Sequence, residues 1–432
     1  MSNVESRGTE PTVLYLTIIG AAFIAWLLLV LLFTPAISYH IERPVDARTQ
    51  HFVNVLESTC QTTLKHGNKI EVLTNGTTFY PAMLDAIANA SETINMECYI
   101  FKKGEVADRF VAALRERAQH GVQVTVVLDA IGSFGTFHRS AAPLREAGCR
   151  VESYRRLAWY SLARLNNRTH RELLVVDGRI AFLGGAGVAD WWATRNHRKS
   201  RKGIWRDTMA RIEGPVVSDI QGVLAENWLE CCGEILTDPI TYKPLERMGG
   251  SAAFVIKSSP ADRATSSRVL FQTLVEGATG KVLISTPYFL PDKALRRALC
   301  RTAKRGVRIM VIVPGRDTDQ RWVRLASRRM FGRLLHDGVR IFEYEGGMTH
   351  VKALIVDDLW SIIGTTNVDN RSFEYNDEVN LAVRDETVAE RLTADFDEDL
   401  ARSSEVVAAK WRRRPILEKL IGTVAWVLER QQ

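Results

Sequence analysis

Hydrophobic positions fall into two kinds of segment, one long apolar run near the start and then a body of alternating short strands and amphipathic helices. No charged residue occurs from Val13 to Ile37, and Leu14 to Phe33 supplies 20 apolar-dominated positions. At a rise of about 1.5 Å per residue, such a helix spans the roughly 30 Å hydrocarbon core of a bilayer. A cleaved signal peptide is the competing reading, but Glu5, Arg7 and Glu10 precede the run where a basic segment would be needed. The expectation is an uncleaved single-pass anchor. Arg43 and Arg48 follow the span against Arg7 before it, a slight bias towards a cytoplasmic body at an inner membrane.

Beyond a segment read as a linker (39–64), the periodicity predicts βα units. Thr74-Asn75-Gly76 marks a turn, Tyr80 to Ala90 has helical spacing, and Thr93 to Phe101 (TINMECYIF) reads as a strand. A helix over Val106 to Gln119 and a buried strand over Val122 to Asp129 follow. The order recurs as a strand at Lys281 to Phe289, a helix at Lys293 to Lys304 and a strand at Val307 to Val313. His170, Asp177 and Gly184 recur as His350, Asp357 and Gly364, each pair 180 residues apart. The pattern predicts an α/β fold of two lobes related by internal duplication, 65–245 and 246–432, each contributing one histidine to a site between them.

Composition changes this picture little. A formal net charge of +7 and 46% hydrophobic residues describe a folded chain suited to a phosphate-rich partner, anionic lipid or nucleic acid. Six cysteines form no C-x-x-C pair, and no histidine cluster has metal-ligand spacing, so buried reduced thiols and no metal or other cofactor are expected.

The chemistry sits in His350-Val351-Lys352, Asp357 and Gly364-Thr365-Thr366-Asn367. Strand alternation puts His350 and Lys352 on one face, an imidazole beside an ammonium suited to phosphoryl chemistry. A solvated His-Lys pair would be the plain alternative. The spacing resembles the H-x-K-x4-D and G-[S/T/G]-x-N signature of the phospholipase D superfamily, and the likeness covers about 370 residues. Gly364 to Asn380 (GTTNVDNRSFEYNDEVN), Trp205-Arg206-Asp207 and Arg211 to Pro215 resemble its bacterial cardiolipin synthase branch. Asn75-Gly76, Cys98 to Phe101 and Asp129 with Gly132-Ser133 agree.

The first motif (164–191) departs from that pattern, whereas the second (344–371) keeps it. Glu172 stands where the lysine is expected and Gly187 where the asparagine is. A carboxylate beside a phosphodiester costs roughly 4 kcal/mol for a close pair at intermediate dielectric. Three readings stay open: a decayed lobe, a Glu172 paired with a nearby arginine, or a neutral Glu172 that donates. A basic run follows, with Arg195, His197, Arg198, Lys199, Arg201, Lys202 and Arg206 flanked by Trp191, Trp192 and Trp205. It is expected to meet lipid headgroups.

The resemblance implies that one histidine attacks phosphorus while the other protonates the leaving alcohol, before a second alcohol takes the phosphatidyl group. His170 is assigned as nucleophile and His350 as acid, with Lys352 in the catalytic set and Asn367, Glu172 and Arg206 expected to bind substrate. Asp207 and Glu378 are the candidates to orient the imidazoles. The motif's catalytic set includes Asp177 and Asp357, although alternation turns each away from its histidine and suggests a structural role. Phosphatidylglycerol, cardiolipin and the membrane are the implied partners, with no nucleic acid. A lipid hydrolase, a nuclease and a non-catalytic membrane protein remain alternatives. Lys410 to Leu428 reads equally as a membrane-surface helix or an ordinary core helix.

Overall fold

The computed structural model describes residues 9–33, 39–155, 167–193, 204–239, 241–259 and 266–429. The expected basic run from Arg195 to Lys202 lies outside them.

Both lobes contribute to one sixteen-stranded sheet. The first lobe supplies β1 (Lys65–Thr74), β2 (Thr93–Cys98), β3 (Gln123–Asp129), β4 (Arg150–Tyr154), β5 (Glu172–Val176), β6 (Ile180–Gly184) and β7 (Thr208–Glu213). The second supplies β8 (Ser251–Ser258), β9 (Lys281–Ser285), β10 (Arg308–Pro314), β11 (Arg340–Tyr344), β12 (Ala353–Val356), β13 (Trp360–Gly364) and β14 (Asn376–Arg384). Their spatial order is β11-β10-β9-β12-β13-β14-β8-β1-β7-β6-β5-β2-β3-β4. Read outward from the β8–β1 junction, the two halves have the same sequence of strands, so the repeat seen at an offset of 180 is a repeat of topology. In each lobe the three outer strands run parallel and the inner pairs antiparallel. Residues joined by βα connections are thus kept apart from those that build the junction.

The predicted strands and helices form within a few residues of their expected limits, Lys293–Lys304 at both ends. β2 and β3 are buried on both faces, which is why they read as continuous apolar runs rather than alternating ones. On one face of the sheet lie α3 (Val217–Cys232) and α5 (Glu386–Ala401). Ile220 and Leu224 of the first and Val388 and Leu392 of the second share one core with Leu173, Ile212, Val255, Ile355 and Val379 from strands of both lobes. The opposite face carries a separate core for each lobe.

The segment 39–64, read as a linker, contains α2 (Gln50–Cys60), capped by the Thr49 side chain. Phe52, Val53, Leu56 and Cys60 are buried among Phe254, Leu270 and Trp360, so this segment packs into the second lobe before the first begins. Upstream, α1 (Thr9–Phe33) is a continuous helix whose side chains from Val13 to Trp26 are exposed. Among the described residues no helix is long and apolar enough to cross a membrane, and for α1 only the side chains of 13–26 are described.

Candidate active site

The two histidines meet in one cleft of about 410 Å³, lined also by Tyr99, Tyr288, Trp205, Asn367 and Arg371. Strand-like bridges between the lobes set its floor. Arg168-Thr169 pairs with Asn376-Asp377, and the His170 N–H donates to the Asp377 carbonyl at 2.9 Å. On the other side the His350 N–H donates to the Arg206 carbonyl at 2.7 Å, and the Arg206 N–H to the Met348 carbonyl at 2.9 Å.

Each imidazole is held by a carboxylate from the opposite lobe. His170 Nδ1 lies 3.0 Å from Glu378 Oε1, and His350 Nδ1 lies 2.9 Å from Asp207 Oδ2. Both carboxylates are fully buried. Each is satisfied by neutral donors: Thr365 Oγ1 at 2.5 Å and Asn376 Nδ2 at 3.3 Å for Glu378, Trp192 Nε1 at 3.1 Å and the Thr208 N–H for Asp207. An Nδ1–H donated to a carboxylate leaves the Nε2 lone pair as the reactive one. Sequence order suggested Asp207 and Glu378 as partners; the exchange between lobes was not visible in it.

The histidines differ in surroundings. The His170 side chain keeps 13% of its surface and stands edge-on to Tyr99. His350 is buried against Trp192 and Trp205, with Lys352 Nζ 2.9 Å from its Nδ1. Burial, and then the Lys352 ammonium, lower the His350 pKa and favour the neutral ring. Burial likewise lowers the pKa of Lys352.

Glu172 has no arginine partner among the described residues. Its carboxyl accepts from the Cys98 thiol at 2.8 Å and the Ile100 N–H at 3.0 Å. Burial raises its pKa to about 8, and these donors and Lys352 only partly offset that. Of the three readings, burial and the raised pKa support a neutral carboxyl, though it accepts these hydrogen bonds and does not donate them as that reading expected. Gly187 belongs to the same change. A Cβ there would sit 2.4 Å from the Ile100 carbonyl oxygen and 2.7 Å from Glu172 Oε1, so no asparagine fits beside the folded-in glutamate.

Several expected residues lie elsewhere. Arg206 is buried away from the cleft, its guanidinium 3.0 Å from Asp399 and 3.4 Å from Asp395 of α5, so it braces the lobes instead of binding substrate. Trp191, Trp192 and Trp205 are a packed wall behind His350, not a surface anchor. Asp177 and Asp357 hold turns. Asp177 accepts from the N–H groups of Ser91, Glu92 and Thr93, and Asp357 from those of Thr279, Gly280 and Lys281. Both have positive φ (51° and 53°), which the type-specific strain tolerance of aspartate permits at a tight turn. Asn367 does line the cleft, and its buried Oδ1 has no partner. The early marks prove to be buttresses: Asn75 exchanges hydrogen bonds with the Asp207 backbone, and Asp129 pairs with Arg168 at 2.9 Å, two residues before His170.

Two histidines in one cleft of a duplicated α/β sheet define the phospholipase D class, and the chain belongs to its cardiolipin synthase, PLD-like domain family, whose model matches residues 83–198 and 272–400. It is 34% identical over 364 residues to cardiolipin synthase A of Serratia proteamaculans (strain 568), covering 82% of this chain and 74% of that protein. It is also 34% identical over 359 residues to cardiolipin synthase A of Pseudomonas fluorescens (strain SBW25), covering 83% and 74%. Among solved structures, phosphatidylserine synthase of Haemophilus influenzae Rd KW20 shares the fold, with a TM-score of 0.65 at 14% identity over 88% of this chain and 98% of that one.

The state of Glu172 gives the first test. Its folded pKa lies above the ordinary 4.5, so the neutral form dominates below about pH 8 and charge appears as pH rises through that value. Turnover by the wild type should therefore fall as pH passes about 8, whereas Glu172→Gln should keep its neutral-pH rate and lose that limb. Glu172→Lys should be nearly inactive, because an ammonium would face the Ile100 N–H and Lys352. Superimposable pH–rate profiles for wild type and Glu172→Gln would refute the neutral carboxyl.

Proposed function

We propose that this chain is a phosphatidyltransferase that makes cardiolipin from phosphatidylglycerol through a phosphohistidine. The observation that carries the reading is the pair of imidazoles in one cleft, each clamped at Nδ1, in a chain one-third identical to cardiolipin synthases. His170, the more accessible, attacks the phosphorus of one phosphatidylglycerol through Nε2. The P–O bond to the headgroup glycerol breaks, and His350 protonates the departing alkoxide. The headgroup hydroxyl of a second phosphatidylglycerol then attacks the phosphohistidine while His350 takes its proton, giving cardiolipin and free glycerol.

Burial and Lys352 lower the His350 pKa, yet an acid must carry a proton. The phosphodiester supplies the missing negative charge: it draws off the Lys352 ammonium and raises the imidazole pKa, so the acid becomes charged only when substrate arrives. Lys352 Nζ and Asn367 Nδ2 donate to the phosphoryl oxygens. Neutral Glu172 removes the repulsion that a carboxylate would impose. The aromatic lining of Tyr99, Trp205 and Tyr288 limits water, the competing acceptor.

On this reading the lobes are 65–245 and 246–432, with α2 part of the second lobe's core. The first helix is read as a bilayer anchor from its sequence, in which Leu14 to Phe33 supplies 20 apolar-dominated positions, the length of a span. The positive bias after it supports an inner-membrane enzyme with a cytoplasmic body.

His170→Ala and His350→Ala should each lower cardiolipin formation from phosphatidylglycerol vesicles by several powers of ten. A p-nitrophenyl phosphodiester needs no acid, so cleavage should recover in His350→Ala but not in His170→Ala. Rescue of the opposite variant would reverse the roles, and unchanged product from either would remove the two-histidine mechanism.

The anchor is tested separately. The full chain should stay with membranes through alkaline carbonate, which strips proteins held by charge alone. Its release would rule out a spanning helix.

A further inference from the structure

A second concavity, of about 490 Å³, shares a wall with the catalytic cleft. Asp319, Gln320 and Val323 line the cleft, while Arg316, Arg321 and Arg324 from the same stretch line the neighbour, together with Arg328, Glu343 and Glu418. These residues come from α4 (Arg321–His336), the turn before it, β11 and α6 (Ile416–Glu429). Four guanidiniums against two carboxylates leave a charge of +2 (4 − 2) in a partly enclosed space.

The internal pairs do not use this charge up. Glu343 accepts from Arg324 at 2.8 Å and Arg328 at 2.6 Å, and Glu418 from Arg328 at 2.8 Å. Among the described residues Arg316 and Arg321 make no side-chain hydrogen bond or ion pair, and the buried Nε of Arg324 has no partner. Guanidiniums that line one concavity with donors left over after their internal pairs are suited to phosphate.

The helices that line this pocket also expose apolar side chains. Helix α6 packs on α4 through Ala425 and Trp426, against Ala326, Val323 and Met330. Its other side leaves Ile416 (74%), Leu417 (67%), Leu420 (61%) and Val424 (57%) exposed, at the spacing of one helical face. Leu417 adjoins Glu418, and Trp322, 60% exposed, adjoins Arg321. A cationic pocket on helices that also expose apolar side chains suits a molecule with a phosphate and acyl chains.

We infer that this arginine pocket binds the headgroup phosphate of an anionic phospholipid in the bilayer, with the exposed face of α6 and Trp322 against its acyl region. The pocket stands apart from the histidines, so binding there does not depend on the catalytic reading. Only its use rests on that reading: it would hold one of the two lipids beside the cleft that receives the other.

The test counts bound lipid on the full-length chain in neutral detergent, carrying His350→Ala to prevent turnover. Titration with dihexanoyl phosphatidylglycerol should show two equivalents per chain. Arg316→Gln with Arg321→Gln should leave one, or weaken the second by about tenfold or more, and the Lys/Lys pair should recover part of it. These substitutions break no internal pair, and an unchanged thermal midpoint would verify the fold. Binding that ignores the arginine pair overturns the proposal, as does equal occupancy by inorganic phosphate, which would mark a free-anion site. A fall from one equivalent to none would uphold this pocket while counting against lipid binding in the catalytic cleft.

Discussion

Everything at the catalytic centre depends on an exchange of carboxylates across the lobe boundary. Neither histidine is oriented by its own lobe: Glu378 reaches back to His170 and Asp207 reaches forward to His350. A buried carboxylate without a cationic partner is costly, and here neutral donors and an imidazole satisfy it on each side. The exchange is possible only because β1 and β8 pair, and because Arg168-Thr169 and Arg206 form bridges into the opposite lobe. The Arg206 guanidinium, between Asp395 and Asp399, fixes the same boundary from α5. The site is therefore a property of the interface, and a shift of one lobe would release both imidazoles together.

Within this frame the lobes have diverged in one coherent way. The second keeps Lys352 beside its histidine, while the first replaces that ammonium with Glu172 and empties position 187. A lysine at 172 would point its charge at main-chain donors; a neutral carboxyl accepts from them. Glycine at 187 supplies the room. The outcome is a cleft in which the buried Lys352 adjoins one of two imidazoles of unequal exposure, with Arg371 also in the lining.

Much of this was legible in the residues. Strands and helices with clear periodicity formed where expected, because each buries the face its pattern exposes to the core. The 180-residue offset revealed the duplication, and strand alternation correctly separated Asp177 and Asp357 from their histidines. The crossing of Asp207 and Glu378 was hidden, since sequence order cannot say which lobe a side chain faces. Arg206 and the three tryptophans misled for a related reason: next to a basic run they resembled a membrane surface, whereas packing turned them inward. Helix α2 was missed because its apolar positions are few and serve a lobe that begins some 200 residues later.

The most direct measurement of the exchange is histidine-selective ¹⁵N NMR on the folded full-length chain, comparing Asp207→Asn with Glu378→Gln. Loss of a carboxylate partner changes the tautomer balance and titration of the ring it held. Asp207→Asn should move the His350 signals and spare those of His170, and Glu378→Gln should do the converse. If each substitution instead perturbed the histidine of its own lobe, the exchanged arrangement would be wrong.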